Sequence, residues 1–342
     1  MNETLTADRL ELLDQDMAAK QLMGFWHWND PVQPYPITAV VPHLWRWNDV
    51  YQSLVRAGEL VDLERAARRV ALLVNPGLAD RKCTTQTLHL SVQYLKPHEH
   101  ARPHRHTMAA LRFVVQGHGA YTTVNGQQCL MDEGDLILTP QLSWHDHVNE
   151  SDQPIVWLDG LDLPLVLALQ QFAQDGYTAE RQPIQVTSDQ AGRLFGPARP
   201  PAAPPAAFYH YKWRDTYPAL QALTRLTSGP DRFDGYLLEF RHPTTGGPTL
   251  PSIQCAVQLL QPGQETAAHR HTSTAIYHVV RGSGSSVIGD QRFDWSQGDI
   301  FVVPVWYAHQ HANTSASEAA ILFSMTDAPL LQYLDLYREE AA

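Results

Sequence analysis

The chain has 342 residues, of which 44% are hydrophobic and 18% charged, an ordinary balance for a globular protein with room for two domains. Its 25 Lys and Arg against 36 Asp and Glu give a formal charge of −11, which argues against a nucleic-acid or anionic-membrane partner and requires any anionic ligand to be captured by locally placed cations. Cys83, Cys129 and Cys255 are an odd number without C-x-x-C spacing, so neither a disulfide framework nor a thiolate metal site is expected, and a reducing cytoplasm fits.

The stretch MNETLTADRLELLDQDM is acidic and amphipathic, unlike a secretory signal, and no apolar run approaches the roughly 20 residues of a membrane span. Leu10, Leu13, Met17, Leu22 and Met23 lie close to helical spacing, with Thr6 and Asp8 as candidate caps, so the chain is expected to open with a helix. A loop rich in Trp and Pro follows. Helices are then expected over residues 49–58 and 62–69 and a buried strand over residues 70–74, before a barrel begins near Thr87.

Residues 103–149 hold the central pattern. His104 and His106 are two apart, so on a strand both imidazoles point to one face, and a third, His145, follows the Gly134-Asp135 turn and the apolar run ending at Pro140. H-x-H, a hairpin, then G-D-x-x-x-x-P and a distal His resembles the metal-binding motif pair of the cupins, small jelly-roll barrels. The pattern recurs from His269 to Asn313, with His269, His271, His309 and Pro304 in the matching places. Internal repetition at this scale implies two barrels.

The duplication extends further. HYKWRDTYPAL echoes HLWRWNDVYQSL, and Trp47 precedes His104 by 57 positions where Trp213 precedes His269 by 56. LDLPLVLALQQFAQDG suggests a covering helix started by Pro164 and stopped at Gly176, echoed by a closing helix in DAPLLQYLDLYREEA. FGPARPPAAPPAAF reads as a connector. The expected fold is therefore an all-β dominated bicupin, two jelly-roll β-barrels with flanking helices. Residues 1–85 would be a helical lead-in with first strands packing on barrel 1, 86–175 the first and catalytic cupin domain, 176–212 a Pro/Ala-rich connector, and 213–342 the second cupin domain with its lead-in and closing helix.

A rival pair, His98 and His100, precedes the motif. Pro97-His98 aligns with Pro262-Gly263, which makes His98 a loop residue rather than a ligand. Where most cupins add a glutamate, this chain has Ala110 and Ala275, so each trio would be three neutral imidazoles leaving a divalent metal its full charge and open positions. Imidazoles suit Fe, Zn, Cu or Ni, and three can also hold Zn with an activated water, so ligand type alone does not separate an oxygenase from a hydrolase.

H-R-H-T-x-x-A-L-R-F, the G-D-x-x-x-x-P segment, W-H-D-H-x-N, L-V-N-P-G-L and P-H-L-W-R-W together resemble the gentisate 1,2-dioxygenase family, which includes salicylate and 1-hydroxy-2-naphthoate dioxygenases. The resemblance covers nearly the whole chain. It implies Fe(II) in the first barrel on His104, His106 and His145, with His269, His271 and His309 as a second candidate site. It also implies insertion of both atoms of O2 into an aromatic hydroxy acid, with cleavage between the carboxyl-bearing and the adjacent hydroxyl-bearing carbon. Arg112 would face the substrate, His147 and Asp159 would manage protons, and Arg68 would contact substrate unless Arg69 takes its place. Gln93 would line the pocket. Tyr277 and Ser324 stand where the first copy has Arg112 and Asp159, which singles out the first barrel. His89 and Ser91 replace an aromatic and a very small residue of the family, giving a more polar pocket suited to gentisate or a 5-substituted salicylate. A homo-oligomer, commonly a tetramer, is implied by analogy. The rival readings are a Zn- or Mn-dependent cupin isomerase or hydrolase and a non-enzymatic ligand-binding bicupin.

Overall fold

The computed structural model describes residues 2–27, 33–66, 68–202 and 206–342, in two units, residues 1–37 and 38–342. In the first unit the helix Asn2–Ala19 is followed by a single turn, Phe25–His27, whose His27 imidazole lies 2.7 Å from the Asp14 carboxylate. Thr6 and Asp8 sit inside this helix and do not cap it, because it begins a full turn earlier.

The second unit is mostly sheet. One barrel pairs the strands Val70–Leu72, His89–Leu95, Ile155–Leu161, Ala110–Gln116 and Leu136–Thr139 as its first face. Its second face holds Gln174–Gly176, His100–His106, His145–Asn149, Ala120–Val124 and Gln127–Leu130. The other barrel repeats this with Tyr236–Glu239, Gln254–Leu260, Ala320–Thr326, Ala275–Arg281 and Ile300–Val303 against Gln291–Ser296, Ser283–Ile288, His309–Asn313, His269–His271 and Glu339–Ala341.

Period-two alternation divides the labour of each strand. Leu90, Val92, Leu111, Phe113 and Leu158 join Val257, Ile276, Phe323 and Met325 in one core between the barrels, while Val114, Ile137 and Trp157 fill the first barrel's own interior. Phe113 stacks on Phe323 with ring centroids 4.2 Å apart, an offset pair of the kind that adds about 1 kcal/mol to its burial. The strands that carry the first site therefore present Ser91, Gln93 and Arg112 inward because their neighbours face the other barrel.

Two expectations are corrected by strand pairing. The lead-in packs on the first barrel through Val70–Leu72 and the helix over residues 47–60, as expected, but gives its strand His43–Trp45 to the second, against Ile300–Val303, and His210–Tyr211 of the expected connector pairs with Leu136 and Ile137 of the first. The G-D motif explains the exchange. Asp135 accepts the backbone N–H of Trp213 at 2.7 Å and Asp299 that of Trp47 at 2.9 Å, so each carboxylate anchors the start of a helix (Trp213–Leu226 and Trp47–Leu60) at its positive end. The adjacent Gly134 and Gly298 have φ of 85° and 92°, and a Cβ there would sit 2.5 and 2.4 Å from the rings of Trp213 and Trp47.

The covering and closing helices are also shorter than expected. The first is Leu163–Ala168 and the second Ala328–Tyr333, ended by left-handed Gln170 and Asp335, both at φ 56°, after which the chain forms Gln174–Gly176 and Glu339–Ala341 beside the two H-x-H strands. The helix expected over residues 62–69 covers only Leu63–Ala66, and residue 67 lies outside the described residues. The connector is partly built into the first barrel: Val186–Thr187 pairs with Gln127 and Gln128, and Thr187 and Gln190 form a reciprocal cap for Ser188–Gly192. Residues 203–205 lie outside the described residues.

Candidate metal centre

The strand His100–His106 lies against His145–Asn149, with His104 directly opposite His145. His104, His106 and His145 are buried and each offers a ring nitrogen, all within 4.8 Å of one another. The Nδ1 atoms of His106 and His145 donate to the carbonyls of Met108 at 3.0 Å and Ser143 at 2.9 Å, and His104 Nδ1 lies 3.3 Å from the Arg102 carbonyl. A carbonyl can only accept, so the bonds of His106 and His145 put their proton on Nδ1 and turn their Nε2 lone pairs to the common centre. His145 Nε2 is buried without a hydrogen-bond partner among the described residues, as a metal-ligating nitrogen would be. Burial and the nearby Arg68 push His104 down to about 2, and burial with Arg112 pushes His106 down to about 4, so the trio is neutral and open to a cation. The donor set fits a divalent transition metal.

Strand register sets the wall beside the trio. Arg112 is directly opposite Asp159, Asp159 is opposite Ser91, and Ser91 is opposite Leu72, so these side chains form one row on the barrel's inner face. Gln93, opposite Trp157, lies in the next row, and His89, opposite Leu161, in the row nearer Ala110. Arg112 is 2% exposed, ion-paired with Asp159 at 3.3 Å, and donates to Thr139 Oγ1. Burial draws its guanidinium down to about 10, opposed by Asp159, while burial raises the Asp159 carboxyl despite Arg112 and Arg68. Thr139, which fixes the guanidinium, was not singled out from sequence; its place in G-D-x-x-x-T-P was the available signal.

Arg68 is brought to the trio. Its Nη2 lies 2.8 Å from His104 Nδ1 and close against Nε2 of the same ring. Arg69 is not: buried, it donates to the Val61 carbonyl at 2.7 Å and grips Glu99 through both terminal nitrogens. His147 shares the face of His145, is held through Nδ1 by Thr122 Oγ1 at 2.8 Å, and leaves Nε2 buried without a partner among the described residues. Burial and Arg112 keep it neutral. His89 is likewise buried, its Nδ1 unpartnered among the described residues, and burial lowers it to about 4. His98 is exposed at φ 60° where Gly263 has φ 69°, a loop position away from the trio.

In the second barrel, His269, His271 and His309 converge equally, with His309 opposite His269. His271 and His309 donate through Nδ1 to the carbonyls of Ser273 at 2.9 Å and Tyr307 at 3.0 Å, whereas His269 Nδ1 meets the Glu339 carboxylate at 3.0 Å. Tyr277 is directly opposite Ser324, as Arg112 is opposite Asp159.

The cupin domain family matches this chain twice, over residues 91–161 and 256–325. A 5-aminosalicylate 1,2-dioxygenase from Comamonas sp. is 39% identical over 97% of this chain and 90% of its own length. A gentisate 1,2-dioxygenase from Aquipseudomonas alcaligenes is 34% identical over 98% and 97%. The chain belongs to the gentisate 1,2-dioxygenase family of bicupin oxidoreductases. A solved structure of the family's salicylate 1,2-dioxygenase from Pseudoaminobacter salicylatoxidans, an adduct with gentisate, superposes with a TM-score of 0.86 at 30% identity, covering 97% of this chain and 94% of that one. Family membership and two converged trios agree with the two-barrel reading.

Proposed function

We propose that this chain is an Fe(II)-dependent ring-cleaving dioxygenase for gentisate or a 5-substituted salicylate. The bond broken would lie between the carboxyl-bearing and the adjacent hydroxyl-bearing carbon, and both atoms of O2 would enter the product. The observation that carries the reading is the pairing of a carboxylate-free imidazole trio with two guanidinium groups, Arg68 and Arg112, on one barrel's inner wall. Iron on His104, His106 and His145 would supply a chelation point for carboxylate and ortho-hydroxyl together with the redox chemistry of oxygen.

The remaining roles fall to this chain's own side chains. Arg112, fixed by Asp159 and Thr139, compensates the acid's negative charge, and its planar fork suits a carboxylate better than a lysine would. Arg68, beside His104, would add a second positive charge for the bound acid next to the metal that the trio would hold. His147, neutral and with a free Nε2 among the described residues, holds or passes a proton beside the trio, and Asp159 takes the counter-charge. Ser91 and Gln93 line the ring, and His89 offers a neutral buried nitrogen to a polar ring substituent. An amino group at the 5-position suits that nitrogen, in keeping with the 5-aminosalicylate enzyme among the relatives.

We place the enzyme in the cytoplasm as a homotetramer with no nucleic-acid or membrane partner. Cys83, Cys129 and Cys255 are buried and unpaired, as a reducing compartment allows, and no helix among the described residues is long and apolar enough to cross a membrane. Phe25 and Trp26, 80% and 54% exposed, offer apolar surface for self-association.

The test is oxygen uptake by protein loaded anaerobically with Fe(II) and offered gentisate, salicylate, 5-aminosalicylate and 1-hydroxy-2-naphthoate in parallel. Uptake with a hydroxybenzoate, lost by about 100-fold or more in His104→Ala, is expected. Turnover with Zn or Mn and no oxygen uptake with any of the acids would replace this reading with the isomerase or hydrolase one.

A further inference from the structure

The duplication lets the two trios be compared position by position, and their surroundings carry opposite charge. Opposite His106 on the neighbouring strand lies Gln174; opposite His271 lies Glu339. Ahead of Val70–Leu72 stands Arg68, against His104; ahead of Tyr236–Glu239, the equivalent strand, an acid, Asp234, stands one place from the matching register position. Arg112 is replaced by Tyr277. The second trio opens on a cavity of about 270 Å³ lined by Asp234, Glu239 and Glu339, with Arg241 already paired to Glu239.

We propose that His269, His271 and His309 form a second divalent transition-metal site that is charge-compensated by Glu339 and Asp234 and therefore closed to the anionic acids taken by the first. Three observations support it. His309 Nε2 is fully buried and has no hydrogen-bond partner among the described residues, a costly arrangement were nothing to engage it. The trio's Nδ1 atoms are all occupied, leaving Nε2 for the metal, and Glu339, itself held by Tyr337 Oη at 2.9 Å, makes His269 a stronger donor than a carbonyl partner would. The two carboxylates supply the charge that ring acid and open ligands supply in the first barrel, so a second anion there would meet like charges across a few ångströms. The site holds the end of the chain, through the strand Glu339–Ala341, onto the barrel. The proposal deepens the reading above, since it depends on the first site being the anion-accepting one.

Anaerobic Co(II) titration, followed by visible d–d absorption, separates the two. The full chain should bind two equivalents, and His104→Ala and His309→Ala one each. Azide and gentisate should shift the spectrum of His309→Ala, which keeps the first site, and leave that of His104→Ala unchanged. Glu339→Gln, which preserves the strand, should weaken only second-site cobalt, by about 10–100-fold, and leave oxygen uptake intact. One equivalent in the full chain, unchanged in His309→Ala, would overturn the site. An azide shift in His104→Ala would overturn its charge selection. If azide behaves as expected while gentisate moves neither spectrum, the second site stands and the ring-acid reading of the first fails.

Discussion

A guanidinium with 2% exposure beside a carboxylate in a barrel interior is costly to build and more costly to halve. Arg112→Ala should lower stability by about 3–5 kcal/mol, because Asp159 is left buried without its partner, and Arg112→Met combined with Asp159→Asn should recover most of that while remaining inactive. Equilibrium urea unfolding of the three proteins checks this; a double variant no more stable than the single one would show that the pair is not the origin of the loss. At this scale much of the site was legible. H-x-H two apart on a strand gave the direction of both imidazoles, whereas counting on from His106 could not place Arg112, because the strand ends at His106 and Ala110–Gln116 belongs to the other sheet; its inward direction follows from its place opposite Asp159. The choice between Arg68 and Arg69 was not legible, since adjacent arginines at the end of a short helix have no periodicity to separate them; the Glu99 carboxylate that captures Arg69 is 30 residues away.

Among the elements, the two short helices after each barrel begin at paired buried acids. Asp162 accepts from the Ala109 N–H at 2.9 Å and from Ser252 Oγ at 2.6 Å, and Asp327 from the Thr274 N–H at 2.8 Å and Thr87 Oγ1 at 2.5 Å, so each carboxylate ties its own barrel to the other. Burial pushes Asp327 up to about 6 from an ordinary 3.8. The folded chain therefore holds this proton more tightly than the unfolded chain, and the contribution is present below about pH 4 and lost as pH rises through about 6. The shift of about two units corresponds to roughly 3 kcal/mol. Metal-free wild type should lose stability relative to Asp327→Asn between pH 4 and 6.5, and chemical denaturation at both values checks it; a constant difference would place the titration elsewhere. The sequence reading took Pro164 as the helix start and Gly176 as its stop, so it ran past the true end at Ala168 and missed the strand Gln174–Gly176. The stop is a left-handed glutamine, a residue type that does not announce it. That missed strand, with its counterpart Glu339–Ala341, is what distinguishes the two trios.

At the scale of the molecule, the exchanged lead-ins make the barrels one folding unit. Each G-D carboxylate anchors a helix from the other half of the chain, and Phe113, Phe323 and their neighbours form a shared core, so the 38–342 unit should unfold in a single transition. Asp299→Ala, which frees the start of Trp47–Leu60, should lower that transition by about 1–2 kcal/mol without splitting it; two calorimetric peaks would contradict the exchange. Repetition in the sequence was enough to count the barrels but not to assign the lead-ins, because a repeat does not say which barrel each lead-in strand joins: the helices Trp47–Leu60 and Trp213–Leu226 pack on strands of their own copy, while His43–Trp45 pairs with Ile300–Val303 of the other. The chemistry itself is tested most directly by turnover of gentisate or 5-aminosalicylate by the Fe(II)-loaded chain under ¹⁸O2, with mass analysis of the product. The account predicts a ring-opened acid carrying both labelled atoms, formed by the full chain and not by His104→Ala; a product without label, or one labelled from water alone, would contradict it.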